Sequence, residues 1–192
     1  LSEDYFAFYI ADVSGHGASS AFVTAILKNF SYRFRREYRP KALKLPGDIL
    51  IRLNREIVDN EIDKHVSIFI GIVNLSTNQL HYGNAGHFPY GVLARGGDAM
   101  VLDLPGKPIG LFENISYASN TVEFREGDNL VLLSDGVLEV MEEIGLESKE
   151  KRLMQAAVEC EGTIERLWNF LDIDTSVVGP DDMTCLMVSC EA

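Results

Sequence analysis

Between residues 66 and 124, short segments rich in Ile, Val, Leu and Tyr follow one another with only a few residues between them. Residues 66–75 run into Ser76-Thr77-Asn78 and then into Leu80, Tyr82 and Asn84, the pattern of two strands joined by a tight turn. Further strands are expected near residues 90–94, 99–103, 118–124, 129–134 and 183–189, separated by glycine-bearing turns. Neighbouring parallel strands need a crossover of about a dozen residues or more, so connections this short commit the chain mostly to antiparallel pairing.

The remaining segments carry a helical period. Phe22, Ile26, Phe30 and Phe34 recur every four residues with Val23 and Leu27 beside them, which predicts a helix over residues 18–36. Pro46 and Asp48 open a second helix over 46–60, with Leu50, Leu53 and Ile57 on its buried face. Shorter helical patterns cover 137–142, 148–159 and 163–171. Strands and helices fall in separate blocks, which predicts an α+β fold: a layered antiparallel β-sandwich flanked by helices. With no internal repeat, low-complexity tract or linker, residues 1–192 read as a single domain.

Composition removes several classes of function. Hydrophobic residues make up 46% of the chain and charged residues 24%, which excludes a disordered or collagen-like protein. The apolar runs stop short of the roughly 18 residues a membrane helix needs, and no signal segment opens the chain. A cytoplasmic protein with no membrane partner is the expectation. The formal net charge of −12 opposes attraction to nucleic acid phosphates, so no nucleic acid partner is expected either. One local run, residues 28–44, gathers Arg33, Arg35, Arg36, Arg39 and Lys41; it fits a solvated helix end or a docking patch for an acidic partner. Cys160, Cys185 and Cys190 have no metal-ligand spacing, and their odd count argues against a disulfide framework, so they read as reduced structural thiols. The sequence starts at Leu1, without a methionine and almost directly with a strand, which suggests a domain excised from a longer protein.

Acidic residues mark the strand ends. Asp12 follows the apolar residues 5–11 and leads into Asp12-Val-Ser-Gly-His-Gly17. Asp135 follows 129–134 in Leu132-Leu-Ser-Asp-Gly136, and Asp181 and Asp182 precede the strand that begins at Met183. Carboxylates gathered at one end of a sheet repel one another unless a cation holds them, so the set points to a hard divalent metal site. All-oxygen donors select Mg²⁺ or Mn²⁺ over zinc. An Asp before a Gly is also an ordinary turn former, so each acid alone says little and the case rests on the set. Gly15 and Gly17 allow a sharp turn and a close approach to an ion or phosphate, and such a turn could direct the Val13 carbonyl at the metal. His16 fits either a proton donor to a leaving group or a capping or packing residue.

Five ordered motifs then meet a known pattern: Asp12-Val-Ser-Gly-His-Gly17, Asn84-Ala-Gly-His-Phe-Pro89, Gly106-Lys-Pro-Ile-Gly110, Ser134-Asp-Gly-Val-Leu-Glu139 and Asp181-Asp-Met-Thr184. In order and spacing the sequence resembles the bacterial sporulation-protein-E-type serine/threonine phosphatases of the metal-dependent type 2C (PPM) class, from about residue 5 to 188. Leu45-Pro-Gly-Asp-Ile-Leu50 with Arg52-Leu-Asn54 also resembles that group's second helix. The resemblance implies a type 2C phosphatase-like sandwich with a two-metal centre of Mn²⁺ or Mg²⁺. By motif position Asp12 corresponds to the carboxylate bridging both metals, Val13 to a backbone-carbonyl ligand, and Asp135 and Asp181 to ligands of the other metal. It implies a shared water as nucleophile, a phosphorylated anti-sigma-factor antagonist as substrate in a partner-switching pathway, and an N-terminal receiver or sensor domain as control. The motifs at 84–89 and 106–110 read as structural or wall-forming.

The sequence also departs from that pattern. The group usually carries Gly-Gly-Asp-x-x-Asp, with a further metal carboxylate, on the strand before residue 5. The sequence begins after that point, and Glu3 and Asp4 do not match it but are expected in a hairpin turn. Weakened or single metal occupancy is the corresponding expectation. Two rival functions stay open: a phosphatase-like adaptor that docks a protein through the 33–44 run, and a hydrolase of small phosphoesters.

Overall fold

The computed structural model describes residues 1–37, 45–174 and 181–191. Two compact units make up the chain, one of residues Leu1–His87 and Leu104–Phe124, the other of Phe88–Asp103 and Arg125–Ala192. Each unit is built on a four-stranded antiparallel sheet.

In the first unit, β1 (Tyr5–Val13), β2 (Val66–Asn74), β3 (Gln79–Ala85) and β6 (Asn120–Glu123) lie in the order β1-β2-β3-β6. The tight turn expected at residues 76–78 is present: the Asn74 side-chain oxygen accepts from the Ser76 and Thr77 amides, and Asn78 adopts φ +52°. One face of this sheet, carrying Val66, Ile68, Ile70 and Ile72, packs against helices α1 (Ala18–Glu37) and α2 (Pro46–Asp59). The opposite face carries the stacked rings of Phe8, Phe69 and Tyr82. Phe8 lies over its cross-strand partner Gly71, where a Cβ would come within 2.3 Å of the ring. Because β2 is buried on both faces, its sequence is a continuous apolar run and not an alternation.

The buried stripe of α1 differs from the one the four-residue spacing suggests. Val23, Leu27, Phe30 and Phe34 face the core, whereas Phe22 is 56% exposed. At about 100° per residue, three steps of four drift roughly 120° around the helix, so a strict four-residue stripe cannot stay on one face. In α2 the expected Leu50, Leu53 and Ile57 are all buried. Of the basic run, Arg33 pairs with Glu56, while Arg39 and Lys41 lie outside the described residues.

In the second unit, β4 (Val92–Arg95), β5 (Asp98–Val101), β7 (Asn129–Leu133) and β8 (Cys185–Ser189) lie in the order β5-β4-β7-β8. Val92, Val131 and Leu133 pack against α4 (Leu146–Glu159) and α5 (Ile164–Phe170) through Leu153, Ala156 and Leu167. The buried Asp128 accepts two hydrogen bonds from Arg95, at 2.8 and 2.6 Å, and one from the Arg125 amide at 2.7 Å. All three cysteines are free, and Cys160 is buried in the core of this unit. Among the described residues no helix is long and apolar enough to cross a membrane.

Candidate metal centre

In the first unit the strand carries Asp12 one residue further than the sequence suggests: β1 runs through it to Val13, and the two pair with Ser67 and Val66. Asp12 is exposed and Val13 partly buried. The ladder then continues through side-chain and loop bonds. The Ser14 amide donates to the His65 carbonyl at 2.9 Å, and the His65 amide donates to the Ser14 hydroxyl at 3.0 Å. Gly15 (φ +69°) and Gly17 (φ +95°) turn the chain through the left-handed region into α1, a turn that residues with a Cβ make only under strain. The exposed His16 sits in this loop.

In the second unit the segments that carry the expected acids are drawn together by a residue to which sequence reasoning gave no role. Ser134 donates its hydroxyl to the Asp182 carbonyl at 2.9 Å and accepts from the Thr184 amide at 2.8 Å; its own amide donates to the Thr184 carbonyl at 3.0 Å. These three bonds clamp the end of β7 to the segment that leads into β8. Asp135 follows as the N-cap of α3 (Gly136–Val140), and Asp181 sits at the start of the clamped segment. Gly136 permits the close approach: a Cβ there would lie 2.6 Å from the Asp182 carbonyl oxygen. The signal for Ser134 was a hydroxyl at the end of a buried apolar strand, directly before the Asp-Gly turn.

Both carboxylates are exposed, and each spends one oxygen on a local amide: Asp135 Oδ1 accepts from Gly136 at 3.1 Å and Asp181 Oδ1 from Asp182 at 2.8 Å. The Oδ2 atom of each has no protein partner among the described residues. This donor chemistry, all oxygen and facing solvent, fits a hard divalent cation. Among the described residues no three His, Cys, Asp or Glu side chains form a group that could hold a metal ion, so the gathered set of acids expected from the sequence is not seen there.

The motifs read as structural do interlock within the first unit. Asn84 donates to the His87 carbonyl at 3.0 Å and accepts from the His87 amide at 2.8 Å, and a Cβ on Gly106 would lie 2.1 Å from the Asn84 carbonyl oxygen. Asn54 of α2 donates to the Phe112 carbonyl and accepts from the Gly110 amide, both at 2.8 Å, fixing the loop that follows. His87 is buried against the edge of Phe69, and burial lowers its pKa from 6.5 to about 4.

The family model described as stage II sporulation protein E (SpoIIE) matches residues 2–191. This chain belongs to the SpoIIE family. Two curated relatives from Bacillus subtilis (strain 168) share its sequence: phosphoserine phosphatase RsbU, 28% identical over 90% of this chain and 53% of the relative, and phosphoserine phosphatase RsbP, 28% identical over 72% and 34%. The SpoIIE-family chain thus spans about half the length of the first of these and about a third of the second. The crystal structure of the RsbU and RsbW domains of Rv1364c from Mycobacterium tuberculosis superposes with a TM-score of 0.77 over 98% of this chain and 52% of that one, at 20% identity. The catalytic domain of the phosphatase PstP, solved in complex with 2 manganese ions, superposes with a TM-score of 0.63 over 94% and 86%, at 15% identity. The chain therefore has the α+β fold of the type 2C phosphatases, with antiparallel sheets flanked by helices, as the order of its strands and helices led us to expect.

Proposed function

We propose that this chain is a single metal-dependent protein serine/threonine phosphatase domain that hydrolyses phosphoserine or phosphothreonine, with Asp12, the Val13 carbonyl, Asp135 and Asp181 as the ligands of Mn²⁺ or Mg²⁺. The observation that supports this reading is the Ser134 clamp, which ties the strand end before Asp135 to the segment that carries Asp181 and Asp182 in a SpoIIE-family chain. Divalent ions held there supply the positive charge that acidifies a water and steadies the phosphoryl oxygens. The protein's own part is placement. Asp135 is oriented by its N-cap position and Asp181 by its bond to the next amide, and the Gly15–Gly17 loop turns the chain sharply away from the Asp12 strand end.

Membership of the family and the likeness to RsbU and RsbP support a substrate that is a phosphorylated anti-sigma-factor antagonist in a cytoplasmic partner-switching pathway, under the control of an N-terminal receiver or sensor domain. An adaptor without catalysis is the less economical reading. It has no use for exposed acids at Asp135 and Asp181, and its docking run has Arg33 already engaged by Glu56.

The test is Mn²⁺-dependent release of phosphate from a phosphoserine peptide, with Mn²⁺ binding followed by calorimetry. Asp135→Asn and Asp181→Asn should each lower both by at least about 100-fold, beyond what loss of an outer partner costs. Activity untouched by Asp135→Asn would defeat the proposal.

A further inference from the structure

Lys64 is the residue that the candidate site does not yet explain. It continues the β1–β2 ladder past its last pair: Val13 pairs with Val66, Ser14 bonds His65, and the next step outward sets Gly15 against Lys64. A Cβ built on Gly15 would lie 2.9 Å from the Lys64 Nζ, so the ammonium rests on the bare face of that glycine. The backbone of Lys64 is held from two sides. Its amide donates to the Ile62 carbonyl at 2.8 Å, and a Cβ on Gly110 would come within 2.6 Å of its carbonyl oxygen.

Among the described residues several cations have partners, and those without one, Lys28, Arg35 and Arg55, are exposed, whereas Lys64 is half-buried. Lys149 donates to the Leu138 carbonyl, Lys151 pairs with Glu147, and Lys107 lies over the Phe112 ring. The Lys64 ammonium forms no hydrogen bond or ion pair among the described residues, although the chain carries 29 acidic residues against 17 Lys and Arg and places Asp63 next to it. An ammonium kept half-buried, without a carboxylate, on a glycine three residues beyond Asp12 is arranged for an anion that arrives from outside. Three residues of extended chain span about 10 Å, so a group bound at the Asp12 end lies within range of a flexible four-carbon stem.

We propose that Lys64 binds the phosphoryl group of the substrate, its ammonium taking up phosphate oxygens over Gly15. The inference rests on the phosphatase reading for the identity of the substrate, but the anion site itself does not. Lys64 is then a binding residue of the ground state and the transition state alike, so it should act on KM more than on kcat. Loss of one charge-assisted hydrogen bond to phosphate is expected to raise KM about tenfold or more.

The experiment compares the wild-type chain with Lys64→Met and Lys64→Arg. With a phosphoserine peptide and Mn²⁺, Lys64→Met should raise KM about tenfold with kcat within about threefold, and Lys64→Arg should return most of the affinity, because a guanidinium keeps the charge. Mn²⁺ affinity by calorimetry and the melting temperature should match wild type in both variants. Without metal, inorganic phosphate should shift the Gly15 and Gly17 amide resonances of wild type and not those of Lys64→Met. An unchanged KM, or a loss confined to kcat, overturns the proposal and leaves the phosphatase reading standing. If the wild-type chain releases no phosphate, the phosphatase reading falls, and the resonance titration alone decides: a Lys64-dependent shift upholds the anion site and a Lys64-independent one overturns it.

Discussion

Gly136→Ala separates the clamp from ordinary helix propensity. Gly136 opens α3 with a φ in the usual negative region, so alanine meets no backbone strain there. At such a position the change would ordinarily stabilise a protein by about 0.4–1 kcal/mol through the unfolded state. Here the added Cβ would lie 2.6 Å from the Asp182 carbonyl oxygen, where ordinary contact begins at 3.4 Å. The neighbouring backbone has to retreat by about 0.8 Å, and the obstacle is main chain, not the yielding end of a side chain. That segment is tied by the three Ser134 bonds of 2.8–3.0 Å, so the retreat stretches all of them. Overpacking of this kind costs about 1–3 kcal/mol, and at about 2–4 °C per kcal/mol for a chain of this size the melting temperature should fall by about 5 °C. Metal ligands tolerate errors of about 0.2 Å. A displacement several times larger between Asp135 and Asp181 should therefore weaken Mn²⁺ by about 10- to 100-fold. Differential scanning fluorimetry and Mn²⁺ calorimetry on the same samples provide both readouts. A melting temperature equal to or above wild type, with Mn²⁺ affinity retained, would refute the reasoning, because the clamp would then yield without cost.

Ser134→Ala removes the hydroxyl and leaves the backbone ladder to Thr184, so Mn²⁺ affinity should drop about 10- to 100-fold while the fold persists, as calorimetry and circular dichroism can show. His87 has its pKa lowered by burial from 6.5 to about 4, so the unfolded chain takes up a proton over a range where the folded one does not. Stability contributed by neutral His87 is complete above pH 6.5 and is lost as pH falls towards 4, about 3 kcal/mol in all; urea melts of His87→Phe should lack that slope. Burial pushes the Asp128 carboxyl up, but hydrogen bonds and charge from Arg95 and Arg125 outweigh it and hold the pKa below 3.8. Its contribution is thus full above that value and lost as pH falls through the lower folded pKa; Asp128→Asn should cost about 2–3 kcal/mol near pH 7, with a smaller difference in urea melts below pH 3. Asn54→Ala orphans the Gly110 amide and the Phe112 carbonyl, and should cost about 2–4 kcal/mol by the same melts.

Much of the candidate site was legible as motif and little of it as geometry. Asp135 and Asp181 stood out as acids at strand ends, yet 46 positions separate them along the chain. What joins the segments that carry them is the Ser134 hydroxyl, whose partners Asp182 and Thr184 have no local signal linking them to it. Lys64 was invisible for the same reason: one lysine in Asp-Lys-His is unremarkable until the ladder brings it onto Gly15. The helix stripe shows a different limit: a recurrence every four residues predicts the helix, but at 3.6 residues per turn it does not stay on one face, and Phe22 is exposed.

The sequence by itself determined that the strands pair antiparallel, that helices stand apart from them and where acids and glycines interrupt the apolar runs. Those features follow from local chemistry: short connections, side-chain period and the conformations glycine allows. Only the tertiary structure decided which acid-bearing segments become neighbours, which hydroxyl holds them and which lysine rests on Gly15. Such facts depend on contacts between residues far apart in the chain, and nothing in a local stretch encodes the identity of a distant neighbour.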